Sequence, residues 1–226
     1  MILALDTATR FISLALHDGA RIVAEHTWQT RDNHTIELGP ALQRMLAQAG
    51  VAAHQLSGVG VALGPGSFTG LRIGLGLAKG LALAHRTPLF GVPTLDALAH
   101  AQPPRQERMV AVLQAGRGRI AYVIYHYREG AWHADGGAAL SDWAALTSAT
   151  VEATYFCGEI DQAGFEALRK LRRLAVAATP AFGLRRASFL AELAWRRLRQ
   201  NSPDDPATLS PIYLNYAEKA ADARAA

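Results

Sequence analysis

The chain has one cysteine, Cys157, in 226 residues. That excludes a disulfide framework and a multi-thiolate metal site. Lysine is almost as scarce, with 3 lysines against 20 arginines, so a lysine-rich nucleic-acid tail is absent. No apolar run reaches membrane-spanning length: the longest, 71–84, is short and carries Arg72 and Lys79. No basic and apolar leader opens the chain, because Met1-Ile2-Leu3-Ala4-Leu5 runs straight into Asp6, and a soluble, cytoplasmic protein is expected. The eight histidines form no tight ligand spacing such as His-x-x-x-His, so a metal site has no support. Gly64-Pro65-Gly66-Ser67-Phe68 lacks the last glycine of a nucleophile elbow. No Lys-Ser/Thr follows Gly70 to make a phosphate loop of the Walker type, and the glycine spacing misses the dinucleotide fingerprint. Cys157 follows an apolar run and reads as a small buried residue rather than a nucleophile.

What is present is apolar and small. Half of the residues are hydrophobic, 19% are charged, and there are 44 alanines and 20 glycines. Long disorder is excluded, and one large domain or two small ones can be buried. The net charge of +4 is uneven. Residues 1–103 carry 7 basic and 6 acidic side chains, residues 104–203 carry 14 and 9, and residues 204–226 carry 2 and 4. A polyanionic partner for the second half and solvated Arg-rich helices both fit, and the second reading is favoured.

The opening segment, Met1–Trp28, predicts three strands. Ile2–Leu5 is a buried run, Asp6–Arg10 a polar turn and Phe11–His17 a strand. Asp18-Gly19 signals a hairpin into Arg21–Trp28. The same order recurs in the second half, over Val110–Leu113, a glycine-rich turn at Gln114–Arg119, Ile120–Tyr127 and Glu129-Gly130. At one constant offset Ile12 falls on Ile120, Leu16 on Ile124 and Asp6 on Gln114. Each ribbon is followed by alternating helices and strands. In the first half these are a helix over Ile36–Ala49 with Ile36, Leu38, Leu42, Met45, Leu46 and Ala49 on one face, a strand Val59–Leu63, and a helix Phe68–Ala84. In the second they end in an Arg-studded helix, Leu184–Gln200, with Leu190, Leu193, Ala194 and Leu198 inward. Gln102–Gln106 reads as the linker. Two α/β lobes with a cleft between them are expected, over residues 1–103 and 104–203, with 204–226 a tail packing back on the first.

Three segments could carry chemistry. Asp6-Thr7-Ala8-Thr9 puts a carboxylate and hydroxyls at a strand end, where a metal-bound phosphate could sit, although an ordinary turn uses the same residues. Gly64-Pro65-Gly66-Ser67-Phe68-Thr69-Gly70 lies between a strand and a helix, where backbone N–H groups attract anions, or where Ser67 or Thr69 simply caps the helix. On that helix Gly70, Gly74, Ala78 and Ala82 recur every four residues, and Gly76, Gly80 and Ala84 form a second stripe. Each interior glycine costs about 1 kcal/mol against alanine, a loss that close packing offsets. The partner is another chain in the preferred reading and the chain's own sheet in the alternative.

Taken together, Ile2-Leu3-Ala4-Leu5-Asp6-Thr7-Ala8-Thr9, Arg31 and His34 before the first helix, the segment Gly64–Gly74, Gly91-Val92-Pro93-Thr94-Leu95 and Pro211-Ile212-Tyr213-Leu214 resemble the TsaB (YeaZ) family. The resemblance runs through nearly the whole chain. It implies two duplicated ribonuclease-H-like lobes of the actin/sugar-kinase/heat-shock-ATPase fold. It also implies a role in placing threonylcarbamoyl on the adenosine 3′ of the tRNA anticodon. In such proteins a TsaD-type paralogue catalyses the transfer, this subunit pairs with it, and a TsaE-type ATPase completes the assembly. The implied interface lies on the N-terminal helices and here takes in Gly70, Arg72, Ile73, Gly74, Leu77, Ala78, Leu81, Leu42 and Met45. A homodimer through the same helices is a second option. The resemblance leaves open ATP or ADP with magnesium at the subunit boundary, weak or indirect tRNA contact through the basic second lobe, and Asp6, Thr7 and Thr9 as a vestigial phosphate turn. No membrane partner is implied.

The chain departs from the family where a second carboxylate is usual: Gln114-Ala115-Gly116 and Arg119 stand there, and Gln cannot serve as a charged ligand of a phosphate-bound metal. The later glycine-rich nucleotide segment shrinks to Cys157-Gly158-Glu159, and Asn215 stands where Arg is common. A non-catalytic subunit is therefore expected. The alternative is a phosphotransferase or peptidase-like enzyme using the Asp6 turn.

Overall fold

The computed structural model describes residues 1–31 and 33–214; Asn215 lies outside them. In chain order the elements are β1 (Ile2–Asp6), β2 (Phe11–His17), β3 (Ile22–Gln29), α1 (His34–Ala49), β4 (Gly58–Gly64), α2 (Phe68–His85), β5 (Leu89–Pro93) and α3 (Thr94–His100). Then come β6 (Arg108–Gln114), β7 (Ile120–Arg128), β8 (Ala131–Ala134), β9 (Ala139–Ser141), α4 (Trp143–Ser148), β10 (Thr154–Gly158), α5 (Gln162–Lys170), β11 (Ala175–Ala177), α6 (Pro180–Gly183) and α7 (Ala187–Arg199). The first sheet has the order β3-β2-β1-β4-β5 and the second β11-β10-β6-β7-β8, with β9 also on β7. In each, a hairpin-linked antiparallel ribbon is extended by parallel strands. The duplicated ribbon read from the sequence is thus present. Among the described residues no helix is long and apolar enough to cross a membrane.

The two ribbons differ by a single step in register. Ser13 pairs with Asp6, whereas its counterpart Ala121 pairs with Leu113. The second turn is longer by one, so Gln114 falls one place beyond the position equivalent to Asp6. The expected match of Asp6 with Gln114 is corrected accordingly: the slip sends alternate side chains to opposite faces.

A second correction concerns α7. Its place in the sequence puts it in the second lobe, with residues 104–203, but it packs on β1, β2, β4 and β5 of the first sheet. Its Ala187, Leu190, Ala191 and Ala194 share a buried cluster with Ile2, Ala4, Ala15, Ala62 and Phe90. A Cβ on Gly60 would come within 2.8 Å of Leu190 and 2.9 Å of Ala194, so a bare backbone at this point lets the helix approach. The helix lacks a side-chain cap of its own. Its first N–H groups are met instead by the first lobe: Ala187 N donates to Ser13 Oγ at 2.8 Å and Ser188 N to Glu25 Oε1 at 2.9 Å. The other face of the same sheet is covered by α1 and α2 through Leu38, Leu42, Met45, Leu75 and Ala78. Ile36, expected inward, is 72% exposed.

Neither the linker nor the described part of the tail is loose. Gln102 is buried; its side-chain N–H₂ donates to Leu98 O and Phe182 O, and its Oε1 accepts from the Tyr155 hydroxyl at 2.9 Å. In the tail, Asp204 pairs with the β5 edge, accepting from Gly91 N at 2.7 Å and from Arg197, and Ile212 N donates to Leu63 O. Burial pushes the Asp204 carboxyl up, but Arg197 and the Gly91 N–H outweigh it and hold the group below its ordinary 3.8. A depressed carboxyl stabilises the fold fully above its unfolded value and loses that contribution as pH falls through the folded one.

The glycines of α2 divide by face. A Cβ on Gly70 would strike the Thr7 carbonyl, and one on Gly74 the Thr7 hydroxyl, whereas Gly76 and Gly80 meet nothing within 4 Å. Chemical denaturation should therefore show Gly70→Ala and Gly74→Ala destabilising by about 1–3 kcal/mol each. Gly76→Ala and Gly80→Ala should instead stabilise by about 0.5–1 kcal/mol each. Asp204→Asn should flatten the part of the stability–pH curve below about pH 4 that the wild-type chain loses on acidification, measured by urea midpoints from pH 6 to 3.

Candidate functional site

A cleft of about 950 Å³ lies between the lobes. Its first-lobe wall includes Thr9, Phe11, His34 and Phe68, and its second-lobe wall Gln114, Glu159, Ile160 and Phe165. The Asp6–Thr9 turn closes its floor, at the C-terminal end of β1. The glycine-rich segment is laid on this turn by backbone contact. Ser67 N donates to Ala8 O at 2.6 Å, and a Cβ on Gly66 would collide with the same carbonyl. Ser67 Oγ then accepts from Gly70 N and caps α2. Of the two readings left open for the segment, helix capping describes Ser67.

The floor is filled by a residue from far along the chain. Arg185, just before α7, is 3% exposed. Its Nε donates to Asp6 Oδ2 at 2.9 Å, its Nη1 to Glu159 Oε1 at 2.5 Å, and its Nη2 to Thr9 Oγ1 at 2.7 Å and Phe11 O at 3.3 Å. Burial lowers the proton affinity of the guanidinium, but the charges of Asp6 and Glu159 more than restore it, so it is held above its ordinary value. The hydroxyl of Thr9 donates in turn to Glu159 Oε1 at 2.5 Å. Glu159 also accepts from Gln114 N at 3.1 Å, and Gln114 Nε2 donates to the Glu159 carbonyl at 2.8 Å. The network spans both lobes and joins charged groups that are 26 and 179 residues apart in sequence.

This occupancy decides the phosphate reading of Asp6, Thr7 and Thr9. Asp6 Oδ1 accepts from Ala8 N and Oδ2 from Arg185; the Thr7 hydroxyl donates to Gly70 O at 2.7 Å; Thr9 is engaged by Arg185 and Glu159. A magnesium-bound phosphate would need these same groups, so the residues do not fit one while the network stands. In the structure Asp6 and Thr9 belong to an internal ion-pair site. Among the described residues no cluster of three His, Cys, Asp or Glu side chains could hold a metal ion. Cys157 is fully buried and burial pushes its thiol up, away from a nucleophilic thiolate.

No sequence signal pairs Glu159 with Arg185. Glu159 stands in a truncated glycine motif and Arg185 among the 14 basic residues of 104–203, and no local spacing links them. His34 has Nε2 2.9 Å from Thr9 O, and Glu37 accepts from Trp28 Nε1 at 2.7 Å.

The predicted interface residues separate into two sets. Gly70, Gly74, Ala78, Leu42 and Met45 are buried within the first lobe, and their assignment to a partner surface is corrected: they serve the chain's own close packing. Arg72 is exposed, while Ile73, Leu77 and Leu81 are partly buried. Arg72 stacks 3.7 Å from the centroid of Phe68, and its Nε donates to the Tyr213 hydroxyl at 2.9 Å. The open face of α2 carries Gly76, Gly80, Leu83 and Ala84 instead.

The basic second half is also redistributed. Residues 104–183 hold nine basic and eight acidic side chains. The remaining arginines, 185, 186, 196, 197 and 199, belong to the segment on the first sheet, where Arg185 is neutralised, Arg186 pairs with Glu25 and Arg197 with Asp204. A strongly basic second lobe is therefore not present.

Comparison with known proteins agrees with this architecture. Residues 22–214 match the family model described as TsaD, tRNA N6-adenosine threonylcarbamoyltransferase. The chain is 36% identical over 137 residues to the tRNA threonylcarbamoyladenosine biosynthesis protein TsaB of Escherichia coli, over 59% of each chain. The match thus spans about three fifths of the length of that curated relative. The solved structure of YeaZ from Pseudomonas aeruginosa superposes with a TM-score of 0.78 at 28% identity, over 94% of this chain and 99% of that one. The fold alone is shared with component A of the Acidaminococcus fermentans (R)-2-hydroxyglutaryl-CoA dehydratase, at a TM-score of 0.52 and 11% identity, over 88% of this chain and 98% of that one. The two ribonuclease-H-like lobes are those of the actin/sugar-kinase/heat-shock-ATPase fold. With a match that runs through both lobes, the chain belongs to the threonylcarbamoyltransferase family of that model, on its TsaB (YeaZ) branch.

Proposed function

We propose that this chain is a non-catalytic, cytoplasmic subunit of the machinery that makes threonylcarbamoyladenosine on tRNA. In this reading it binds and organises a TsaD-type catalytic paralogue, with a TsaE-type ATPase completing the assembly. The observation that carries the proposal is the contrast between two surfaces of the first lobe. On the cleft side Asp6 is engaged in the chain's own network, Oδ1 by the Ala8 N–H and Oδ2 by Arg185. The helical side presents small and apolar groups with no cover from the described residues: Gly76, Gly80, Leu83 at 70% exposure and, on α1, Ile36. A helix face that exposes backbone at glycines and large aliphatic side chains suits close pairing with another helix. The names of the relatives, a TsaB protein and a transferase family, support the pathway. ATP or ADP with magnesium, where the assembly uses it, is bound outside this chain's Asp6 turn, and tRNA is contacted through the partner.

Mixing the purified chain with a TsaD-type protein at micromolar concentration should give one earlier-eluting peak in sizing chromatography; two independent peaks would sink the proposal. Gly80→Arg and Leu83→Glu should weaken pairing by roughly tenfold or more, about 1.4 kcal/mol, without loss of circular-dichroism signal, since neither side chain is needed for the chain's own core. If the chain self-associates through the same face, both variants should also shift that equilibrium toward monomer. Titration of magnesium and ATP into the isolated chain should give no stoichiometric heat. A tight site abolished by Asp6→Ala would favour the phosphotransferase reading instead.

A further inference from the structure

Among the described residues the lobes are joined through α3 and through Arg185. Helix α3 is shared by both cores: Ala97 packs with the first-lobe cluster, while Leu95, Leu98 and Ala99 pack with Met109, Val123 and Tyr155 of the second. The Tyr125 hydroxyl donates to Asp96 on the same helix at 2.7 Å. The lobes meet again at Arg185, in the cleft. Asp6 and Thr9 come from the first ribbon and Glu159 from the end of β10, so the two carboxylates face the same guanidinium from opposite walls. We propose that Arg185 is an internal latch that holds the lobes at one angle, so that the cleft neither admits a metal-bound phosphate nor opens and closes on a ligand.

The physical case rests on charge and reach. Without a cation between them, Asp6 and Glu159 would repel across a poorly solvated gap. A divalent metal could screen them, but the chain supplies a guanidinium covalently fixed at the start of α7. That helix is in turn pinned to the first sheet through Ser13 and Glu25. Of the contacts made by Arg185, those to Asp6, Thr9 and Phe11 stay within the first-lobe body and the one to Glu159 crosses to the second. The crossing is reinforced by the Thr9 hydroxyl, which also donates to Glu159. A planar fork makes these contacts together in one plane; an ammonium group cannot. The inference does not depend on partner pairing, which uses the opposite side of the first lobe.

The test is an inter-lobe distance measured by pulsed electron paramagnetic resonance, with spin labels at Gln29→Cys and Ala163→Cys, exposed positions in the first and second lobes. The native Cys157 is fully buried and takes no label in the folded chain. The wild-type network should give a single narrow distance that millimolar magnesium and ATP leave unmoved. Arg185→Met and Glu159→Gln should both broaden the distribution and shift it to longer distance, the second by less, and Arg185→Lys should fall between wild type and Arg185→Met. Where Arg185→Met does not fold, Glu159→Gln decides the matter alone. An unchanged distance in a folded Glu159→Gln or Arg185→Met protein would overturn the latch, as would a wild-type distance that moves on adding nucleotide.

Discussion

Burying Arg185 removes a full positive charge from water, and the structure accommodates it only because two carboxylates converge on it from opposite lobes. Removing Arg185 would leave Asp6 and Glu159 facing each other in a low-dielectric floor without a cation, which is far costlier than never burying the group. The arrangement therefore constrains everything around it. The β1 turn must present Asp6 and Thr9 together, β10 must end at Gly158 so that Glu159 turns inward, and α7 must begin where its preceding residue reaches the floor. The glycine-rich segment before α2 serves the same geometry from below, with Gly66 and Gly70 bringing backbone against Ala8 and Thr7. A motif with the outward form of an anion loop is thus used as a packing surface.

Much of the fold is legible because its strands are short apolar runs bounded by turn residues. The β2 span, Phe11–His17, follows directly from such a run, and the duplicated ribbon follows from its recurrence. The single-step slip between copies is not legible, because Ile12 and Ile120 still coincide at the uniform offset and only hydrogen-bond pairing exposes the longer second turn. The lobe to which α7 belongs escapes for a different reason. Its inward positions, Leu190 and Ala194, can be read correctly, but an amphipathic pattern names the buried face and not the surface that buries it. Proximity along the chain favours the second lobe; small residues at Gly60, Ala187 and Ala191 make the first sheet the tighter fit.

The candidate site is legible only by halves. Asp6, Thr7 and Thr9 stand out because a carboxylate and hydroxyls share a strand-end turn, yet their chemistry is set by a residue 179 positions away. Ion pairs at that separation leave no periodicity to read. The glycine stripes of α2 show the same limit. Two stripes of small residues on one helix are indistinguishable by composition, and only the neighbours separate the inner one, pressed on Thr7, from the outer one that meets open space. The charge asymmetry likewise dissolves once the arginines near α7 are placed on the first lobe.

The position of α7 late in the described chain, over a sheet made at its beginning, has a consequence for synthesis. During translation β1, β2, β4 and β5 are all available once Pro93 has emerged, but one face of their sheet, with Ile2, Ala4, Ala15, Ala62 and Phe90, stays bare until Ala187 and its helix arrive. At roughly 5–20 residues per second that interval is on the order of ten seconds. The first lobe made is therefore the last to be completed, and the nascent chain exposes a flat apolar surface while the second lobe is still being built. Chaperone capture and premature association on the ribosome would compete at that surface, and the stretch of chain between Pro93 and Ala187 sets how long they can do so.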